Sequence, residues 1–230
     1  MHTVDEAKKR TRYIRDELLS WAKKELRKYP WRVNRTPYSI LVAEFLLKRT
    51  TASAVSRIFE RFMEKYPEID ALAASNHKDL EEILRAIGYH KLRAREMKET
   101  AVYIMKEFEG KIPRDLKKLL SIPNVGPYTA GAILSLSYGI PASMVDSNVE
   151  RIIKRIFMNS IPSSSVTKTI KEVANVLLPV EHHDIFNLAL LDLGGSVCTY
   201  RTTYCKKCPI SLGCDTGRKD LNLKNTANGL

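Results

Sequence analysis

The sequence lacks several features that would assign it to a class at once. It contains no apolar run of about 18 or more residues, so no membrane-spanning helix is predicted. Its N-terminal segment is charged and helical in pattern, unlike the apolar segment of a secretion signal. Cysteine is scarce, and all four cysteines lie between Cys198 and Cys214. We therefore expect a soluble cytoplasmic protein whose cysteines serve a metal centre rather than disulfide bonds.

The charge balance is strongly basic. The chain of 230 residues has 38 Lys and Arg against 26 Asp and Glu, a formal net charge of +12, and 44% of its residues are hydrophobic. A chain of this length can bury a core without covalent cross-links. Excess positive charge favours a polyanionic partner, because each cation that contacts a phosphate releases condensed counterions. Nucleic acid is thus the expected partner, although the same charge could serve solubility alone.

The hydrophobic pattern predicts an all-α protein with two helical lobes. No segment shows the alternation of a β-strand, and no internal repeat or low-complexity block is present. The expected domains are 29–139, and 1–28 together with 140–230. The chain from Asp215 onward is polar and is expected to be frayed. Helices are predicted at 4–28, 39–66 (two helices split near 48–51), 68–75, 77–87, 91–109, 114–120, 127–138, 147–158, 165–178 and 183–194.

The segment 119–131 reads as two helices joined by a tight hairpin. One helix is expected to end near Ser121 and the next to begin at Pro127, since proline favours the first helical position. Asn124 and Gly126 tolerate positive φ, and Val125 can plug the turn into the core. A turn into a helix start presents backbone N–H groups that suit a phosphate. An ordinary helical connection is the alternative.

Asp146 follows the apolar pair Met144-Val145 just before another predicted helix. Ser147 and Glu150 match a capping box, which would leave Asp146 outside the helix and not needed as its cap. The alternative is that Asp146 itself caps this helix.

The four cysteines have the spacing Cys198-x6-Cys205-x2-Cys208-x5-Cys214. Four thiolates within 17 residues can surround one metal centre. Zinc and a [4Fe–4S] cluster both accept four cysteine ligands, so the spacing alone leaves the two open.

Taken together, the hairpin, Asp146 and the cysteine array resemble the helix-hairpin-helix DNA glycosylases of the endonuclease III type, across about residues 29–214. The resemblance implies a base-excision enzyme acting on double-stranded DNA. It also implies a [4Fe–4S] cluster held by Cys198, Cys205, Cys208 and Cys214. Asp146 would then be the catalytic carboxylate, stabilising the positive charge that develops on the sugar as the base departs.

Tyr128 and Glu44 complete the expected catalytic set. Members of this superfamily that are lyases carry a lysine where this chain has Tyr128, and tyrosine cannot form a Schiff base. The resemblance thus implies a monofunctional enzyme that leaves an abasic site, although Tyr128 could instead be a packing residue. Glu44 lies in an apolar helix, where burial would raise its pKa. A buried ion pair with an arginine is the alternative for Glu44.

The excised base is indicated by the segment Lys48-Arg49-Thr50. It resembles the thymine/uracil mismatch glycosylases, whereas adenine glycosylases have Gln-Gln-Thr there. The length of the segment 88–94 and the short chain after Cys214 favour the same group, while the segment 128–136 looks closer to adenine glycosylases. Expected DNA contacts are Lys48, Arg49, Tyr89, His90, Lys91, Leu92, Asn124, Val125, Gly126 and Thr129.

We therefore expect a monomer that removes thymine or uracil opposite guanine. The alternatives are an adenine glycosylase without a C-terminal lesion-reading domain, a bifunctional lyase, and a non-catalytic DNA-binding module with zinc.

Overall fold

The computed structural model describes residues 2–158, 160–161 and 166–223. Within these ranges it has twelve α-helices and no β-strand, so the predicted all-α class is confirmed. No helix in the described ranges is long and apolar enough to cross a membrane. The helices are α1 His2–Glu25, α2 Pro37–Leu47, α3 Ala52–Lys65, α4 Ile69–Ala73, α5 His77–Leu84, α6 His90–Phe108, α7 Leu116–Ser121, α8 Pro127–Ala132, α9 Ser147–Ile156, α10 Val166–Leu177, α11 His183–Ser196 and α12 Asp215–Asp220.

The chain divides into two compact units, Lys28–Ile140 and the two segments Met1–Arg27 and Pro141–Leu230. The first unit is organised around α2, which packs against α3, α6 and α8. Thr36 caps α2 by accepting a hydrogen bond from the backbone N–H of Ser39, and Pro37 occupies its first turn. Eight consecutive residues of α2, Ser39 to Leu46, are buried, which explains why its sequence is apolar on every side.

Two breaks in this unit follow from local sequence. The predicted split near 48–51 is confirmed, because Arg49 adopts a left-handed conformation (φ 54°) and Thr51 caps α3. The predicted helix 127–138 is α-helical only as far as Ala132 and continues as a π-helix over Ile133–Ser137. The π-helical turn is wider than an α-turn, and such turns often occur near functional sites.

The second unit joins α1 to the helices that follow residue 140. α1 packs against α10 and α11, and α9 packs against α11. Its core includes Ile14, Leu18, Phe157 and Phe186, each fully buried. This burial accounts for the apolar positions of α1, which are spaced for one face of a helix.

The expectation of a frayed chain from Asp215 is wrong for its first residues, since Asp215–Asp220 form α12. Cys214 caps this helix, its sulfur accepting from the backbone N–H of Gly217 at 3.4 Å. A β-carbon on Gly217 would lie 2.6 Å from the carbonyl oxygen of Ser211, so the helix packs closely on the preceding chain. Residues 224–230, and residue 165 of the predicted helix 165–178, lie outside the described residues.

Candidate active site and cysteine centre

The hairpin lies in the unit Lys28–Ile140 and connects α7 to α8 as predicted. Val125 is 6% exposed and plugs the turn into the core, as expected. Asn124 has a φ of 65°, which confirms the expected positive value and explains the choice of asparagine over a branched residue. Thr100 of α6 donates a hydrogen bond to the carbonyl oxygen of Pro123 at 2.8 Å, which attaches the turn to α6.

One expectation about the hairpin needs correction. Gly126 has a φ of −94° and a ψ of 176°, so it does not require a positive φ; it occupies the N-cap position of α8, where it has no side chain to act as a cap. Thr129 is buried in the first turn of α8, and its contact with DNA remains a prediction. Helix starts leave backbone N–H groups without intrahelical acceptors. The chemistry available at this turn therefore comes from the backbone.

Lys48 ties the hairpin to two helices. Its Nζ lies 3.1 Å from Glu96 Oε2 on α6, and it donates to the carbonyl oxygen of Asn124 at 3.2 Å. The same Nζ lies 4.1 Å from the centroid of the Phe45 ring. The side-chain amide of Asn124 donates to the carbonyl oxygen of Glu96 at 3.4 Å. Sequence analysis missed Glu96, because nothing in a charged helical face shows which carboxylate meets a distant lysine.

Arg49 and Tyr89 stack at the surface of the same unit. The guanidinium carbon of Arg49 lies 5.5 Å from the centroid of the Tyr89 ring. Both residues have positive φ, 54° and 51°, which costs of order 1 kcal/mol each for residues other than glycine. Tyr89 is 56% exposed and Leu92 is 42% exposed. A cavity of about 330 Å³ is lined by Lys48, Arg49, Tyr89, Leu92, Arg93 and Glu96.

The other predicted contacts of this region lie at the start of α6. His90 is its first residue and is half-buried, and Lys91 is exposed. The structure thus places Lys48, Arg49, Tyr89 and Leu92 around one cavity, with His90 and Lys91 beside Tyr89 in the chain.

Arg93 was not singled out from the sequence and holds the end of α2. Its guanidinium donates to three carbonyl oxygens there, those of Phe45, Leu46 (3.2 Å) and Lys48 (2.8 Å). The last carbonyl groups of a helix lack intrahelical donors, and a cation at a helix C-terminus is favoured by the dipole. Burial lowers the pKa of Arg93, with the nearby Glu96 acting in the opposite direction.

Glu44 and Tyr128 lie on α2 and α8 of this unit. Glu44 is 7% exposed, as its apolar sequence context predicts. Tyr128 is half-buried at the second position of α8. The raised pKa expected for Glu44 remains a prediction.

Asp146 lies in the other unit and caps α9. Its Oδ1 accepts from the backbone N–H groups of Asn148 and Val149 at 2.9 and 2.8 Å, and its Oδ2 accepts from the side-chain amide of Asn148 at 2.7 Å. The expected capping box is therefore wrong: Ser147 is the first helical residue, and Glu150 accepts from Lys154 instead. An aspartate is a stronger cap than the sequence argument allowed. The result is a half-buried carboxylate held in one orientation.

Asn148 is itself held by Arg151, which sequence analysis also missed. Arg151 Nη2 donates to Asn148 Oδ1 at 2.9 Å and to the carbonyl oxygen of Gly194 at 2.8 Å. It also donates to the carbonyl oxygen of Cys198, at 2.9 Å from Nη2 and 3.1 Å from Nε. A hydrogen-bonded chain therefore runs from Asp146 through Asn148 and Arg151 to the backbone of Cys198.

The four cysteines are free thiols that line one cavity. Burial, together with charge repulsion from the other cysteines, raises the pKa of Cys208 to about 11 and of Cys214 to about 12. The thiols of Cys208 and Cys214 are therefore protonated at neutral pH, and a metal centre would have to displace their protons on binding. In the described part of the chain, no three His, Cys, Asp or Glu side chains form a group that could hold a single metal ion. Four cysteine sulfurs around one cavity nevertheless match the donor set of a sulfur-ligated metal centre.

The comparisons with known proteins agree with this geometry. The family model described as "HhH-GPD superfamily base excision DNA repair protein" matches residues 42–177. The chain belongs to this superfamily. It is 35% identical to the thymine/uracil-DNA glycosylase of Methanothermobacter thermautotrophicus over 90% of this chain and 94% of that protein. It is 37% identical to the adenine DNA glycosylase of Mycolicibacterium smegmatis over 85% of this chain and 67% of that protein.

Solved structures of this superfamily share the fold. A thermostable thymine-DNA glycosylase superposes with a TM-score of 0.85 at 33% identity, covering 92% of this chain and 98% of that one. Endonuclease III in a trapped covalent intermediate with DNA superposes with a TM-score of 0.78 at 27% identity, covering 93% and 98%. The predicted helix-hairpin-helix glycosylase fold and membership of the base excision repair enzymes are therefore confirmed.

Proposed function

We propose that this superfamily member is a monofunctional DNA glycosylase that removes thymine or uracil opposite guanine and leaves an abasic site. The observation that carries the proposal is the similarity to a thymine/uracil-DNA glycosylase along nearly the whole of both chains. The segment Lys48-Arg49-Thr50 supports it, since it resembles the same group.

Asp146 is the proposed catalytic carboxylate. Departure of a base leaves positive charge on the sugar, and a fixed negative charge stabilises that charge without reorganising during the reaction. Three hydrogen bonds hold Asp146 in this way. The carboxylate can also orient or deprotonate the attacking water.

Tyr128 and Glu44 are proposed to act on the base and the sugar. Tyrosine offers a hydroxyl group but no amine, so the sugar is released as an abasic site rather than trapped as a Schiff base. Glu44 is a buried carboxyl group, and in its protonated form it can donate a hydrogen bond to a departing pyrimidine. Both roles are inferred from the resemblance and the placement of each residue on its own helix.

DNA binding is assigned to the hairpin and to the cavity beside it. The backbone of Asn124, Val125, Gly126 and Thr129 is proposed to hold phosphates, and His90, Lys91 and Leu92 to approach the orphan guanine. Lys48 already has three partners, so we assign it to holding the hairpin, and Arg49 with Tyr89 to the space left by the extruded nucleotide. A mismatch lowers the cost of extrusion, which is about a few kcal/mol. One copy of the chain is proposed to act alone in the cytoplasm.

The two units then have distinct roles. Residues 29–139 form the proposed helical-barrel domain with the hairpin, and 1–28 with 140–230 form the proposed iron–sulfur domain. Cys198, Cys205, Cys208 and Cys214 would hold a [4Fe–4S] cluster, whose iron–sulfur bonds would join the two ends of the loop 198–214. A cluster is favoured over zinc because the spacing Cys198-x6-Cys205-x2-Cys208-x5-Cys214 resembles that of the endonuclease III type, and the four thiols line a shared cavity.

An adenine glycosylase is the second candidate. The observation that favours it is the segment 128–136, which is closer to that group, together with the identity to an adenine DNA glycosylase. The Lys48-Arg49 pair, where that group has two glutamines, argues against it.

The test is a panel of end-labelled duplexes carrying G·T, G·U, G·A and 8-oxoguanine·A, with a fully paired duplex as the control. Breakage of the T or U strand only after alkali is expected, because an abasic site breaks under alkali. Cutting at adenine would establish the second candidate. Breakage without alkali would show a lyase, and binding of every duplex without base release would show a non-catalytic module.

A further inference from the structure

We propose that Arg155 sets the reduction potential of the cluster by donating a hydrogen bond to the sulfur of Cys198. This inference rests on the [4Fe–4S] cluster assigned above. It gives Arg155 a role in positioning and tuning, not in the reaction at the sugar.

The contact is made from the last turn of α9. Arg155 Nη1 lies 3.3 Å from Cys198 Sγ and also donates to the carbonyl oxygen of Thr199 at 2.7 Å. Arg151, one turn earlier, contacts Cys198 through the carbonyl oxygen of that residue and not through its sulfur. Arg151 therefore contacts the backbone of Cys198, and Arg155 contacts its sulfur.

The electrostatic setting makes this contact stand out. Apolar side chains such as Ile152, Ile156 and Leu193 line much of the cavity that the four cysteines share. Among the described residues that line it, Arg155 is the single charged side chain. The guanidinium of Arg155 brings a delocalised positive charge to this cavity. Arg155 is half-buried beside these apolar side chains, so its charge is screened less than that of a fully exposed cation.

The direction of the effect follows from charge. A cluster bound by four thiolates is an anion, and one-electron reduction makes it more negative, whereas one-electron oxidation makes it less so. Hydrogen bonds to the sulfurs and nearby positive charge stabilise the more negative state. Arg155 should therefore raise the potential of each couple and make the cluster harder to oxidise.

A bracing role alone would leave the potential unchanged. Arg155 also holds the loop through the carbonyl oxygens of Thr199 and Tyr200, the latter at 3.4 Å. The test therefore needs variants that separate charge from bracing. Arg155→Gln removes the charge, and Arg155→Lys keeps the charge but has one nitrogen in place of three. Lys154→Gln is the matched control, because Lys154 is an exposed cation on the same turn that pairs with Glu150.

The measurements are iron and sulfide per chain, the midpoint potential by film voltammetry, and the rate of bleaching by ferricyanide. In the last assay one electron leaves the cluster for each ferricyanide reduced to ferrocyanide. We expect Arg155→Gln to retain iron, to show a more negative potential and to bleach several-fold faster. Arg155→Lys should lie between it and the unsubstituted chain, and Lys154→Gln should match the unsubstituted chain.

A loaded Arg155→Gln chain with the original potential would overturn the proposal, as would an equal shift in Lys154→Gln. If Arg155→Gln does not hold iron, Arg155→Lys decides: a lowered potential supports the proposal and an unchanged one refutes it. Absence of iron and sulfide from the unsubstituted chain would instead refute the cluster assignment. If the Arg155→Gln chain has an unchanged potential and still excises the base, the proposed function stands and only the role of Arg155 in tuning the cluster is refuted.

Discussion

Replacement of Asp146 separates two roles that the structure gives one side chain, capping α9 and supplying a negative charge. Asparagine caps helices about as well as aspartate, so Asp146→Asn retains an oxygen for the backbone N–H groups of Asn148 and Val149. The new amide nitrogen would face the side-chain amide nitrogen of Asn148, so the 2.7 Å hydrogen bond to Oδ2 is lost. One such bond contributes about 1 kcal/mol.

The effect on catalysis should be much larger than the effect on stability. The loss of about 1 kcal/mol lowers the melting temperature by roughly 2–4 °C in a chain of this size. Loss of the carboxylate removes charge stabilisation and help to the water, which together correspond to about a 10²–10⁴-fold fall in the rate of base release. Affinity for a mismatched duplex should stay close to that of the unsubstituted protein, since the hairpin is unaltered.

The assay is single-turnover excision on a G·U duplex with alkaline strand breakage, alongside thermal unfolding and a binding titration. Asp146→Ala is the comparison variant, because it removes both cap and charge and should lose an additional 0.5–2 kcal/mol or so of stability. Excision by Asp146→Asn at close to the original rate would falsify the catalytic assignment. A parallel loss of folding and activity in Asp146→Asn would show that the residue acts only as a cap.

Substitutions at three other positions test particular contacts. Asn124→Val should destabilise the protein by about 1–3 kcal/mol in urea unfolding, because a branched residue is strained at a φ of 65°, whereas Asn124→Gly should change stability by less than about 1 kcal/mol; equal effects would contradict the strain argument. Gly217→Ala should reduce the iron content per chain, since its β-carbon would lie 2.6 Å from Ser211 O, and full loading at an unchanged melting temperature would refute the close packing. Tyr128→Lys should yield a borohydride-trappable DNA adduct that the unsubstituted protein does not form; no adduct would mean that position 128 does not reach the sugar.

Most of the helices could be predicted, because their signals are local. The apolar period and the prolines and glycines mark the segments, and Pro127 places the start of α8. The errors arose where local rules compete. Asp146 and Ser147 are both acceptable caps, and only the three-dimensional path of the chain selects the aspartate. The helix α12 was missed because its sequence is polar, and it is stabilised by contacts with distant residues such as Arg10, which pairs with Asp215 at 2.6 Å.

The long-range contacts around the candidate site could not be predicted from the sequence, although the hairpin and the cysteine array could be located in it. The hairpin and the cysteine array are contiguous in sequence and carry recognisable spacing. Glu96, Arg93 and Arg151 act across tens of residues, and each belongs to a helix whose charged positions look alike in sequence. No periodicity distinguishes an arginine that caps a distant helix from one that faces water. Pairwise contacts of this kind appear only when the chain is folded.

The helix α9 connects the proposed catalytic carboxylate to the cysteine loop, and its polar residues make specific contacts at both ends. Its first turn is fixed by Asp146, and its last turn contacts the sulfur of Cys198 through Arg155. Arg151 lies between them and makes four hydrogen bonds, to Asn148, to the backbone of Gly194 and twice to Cys198. Such a network is satisfied only when the loop of cysteines is in place, because two of its hydrogen bonds go to the carbonyl oxygen of Cys198, where that loop begins. The orientation of the Asp146 carboxylate therefore depends on the position of the cysteine loop. A group that holds this loop closed would stabilise the hydrogen bonds of Asp146 without contacting the DNA.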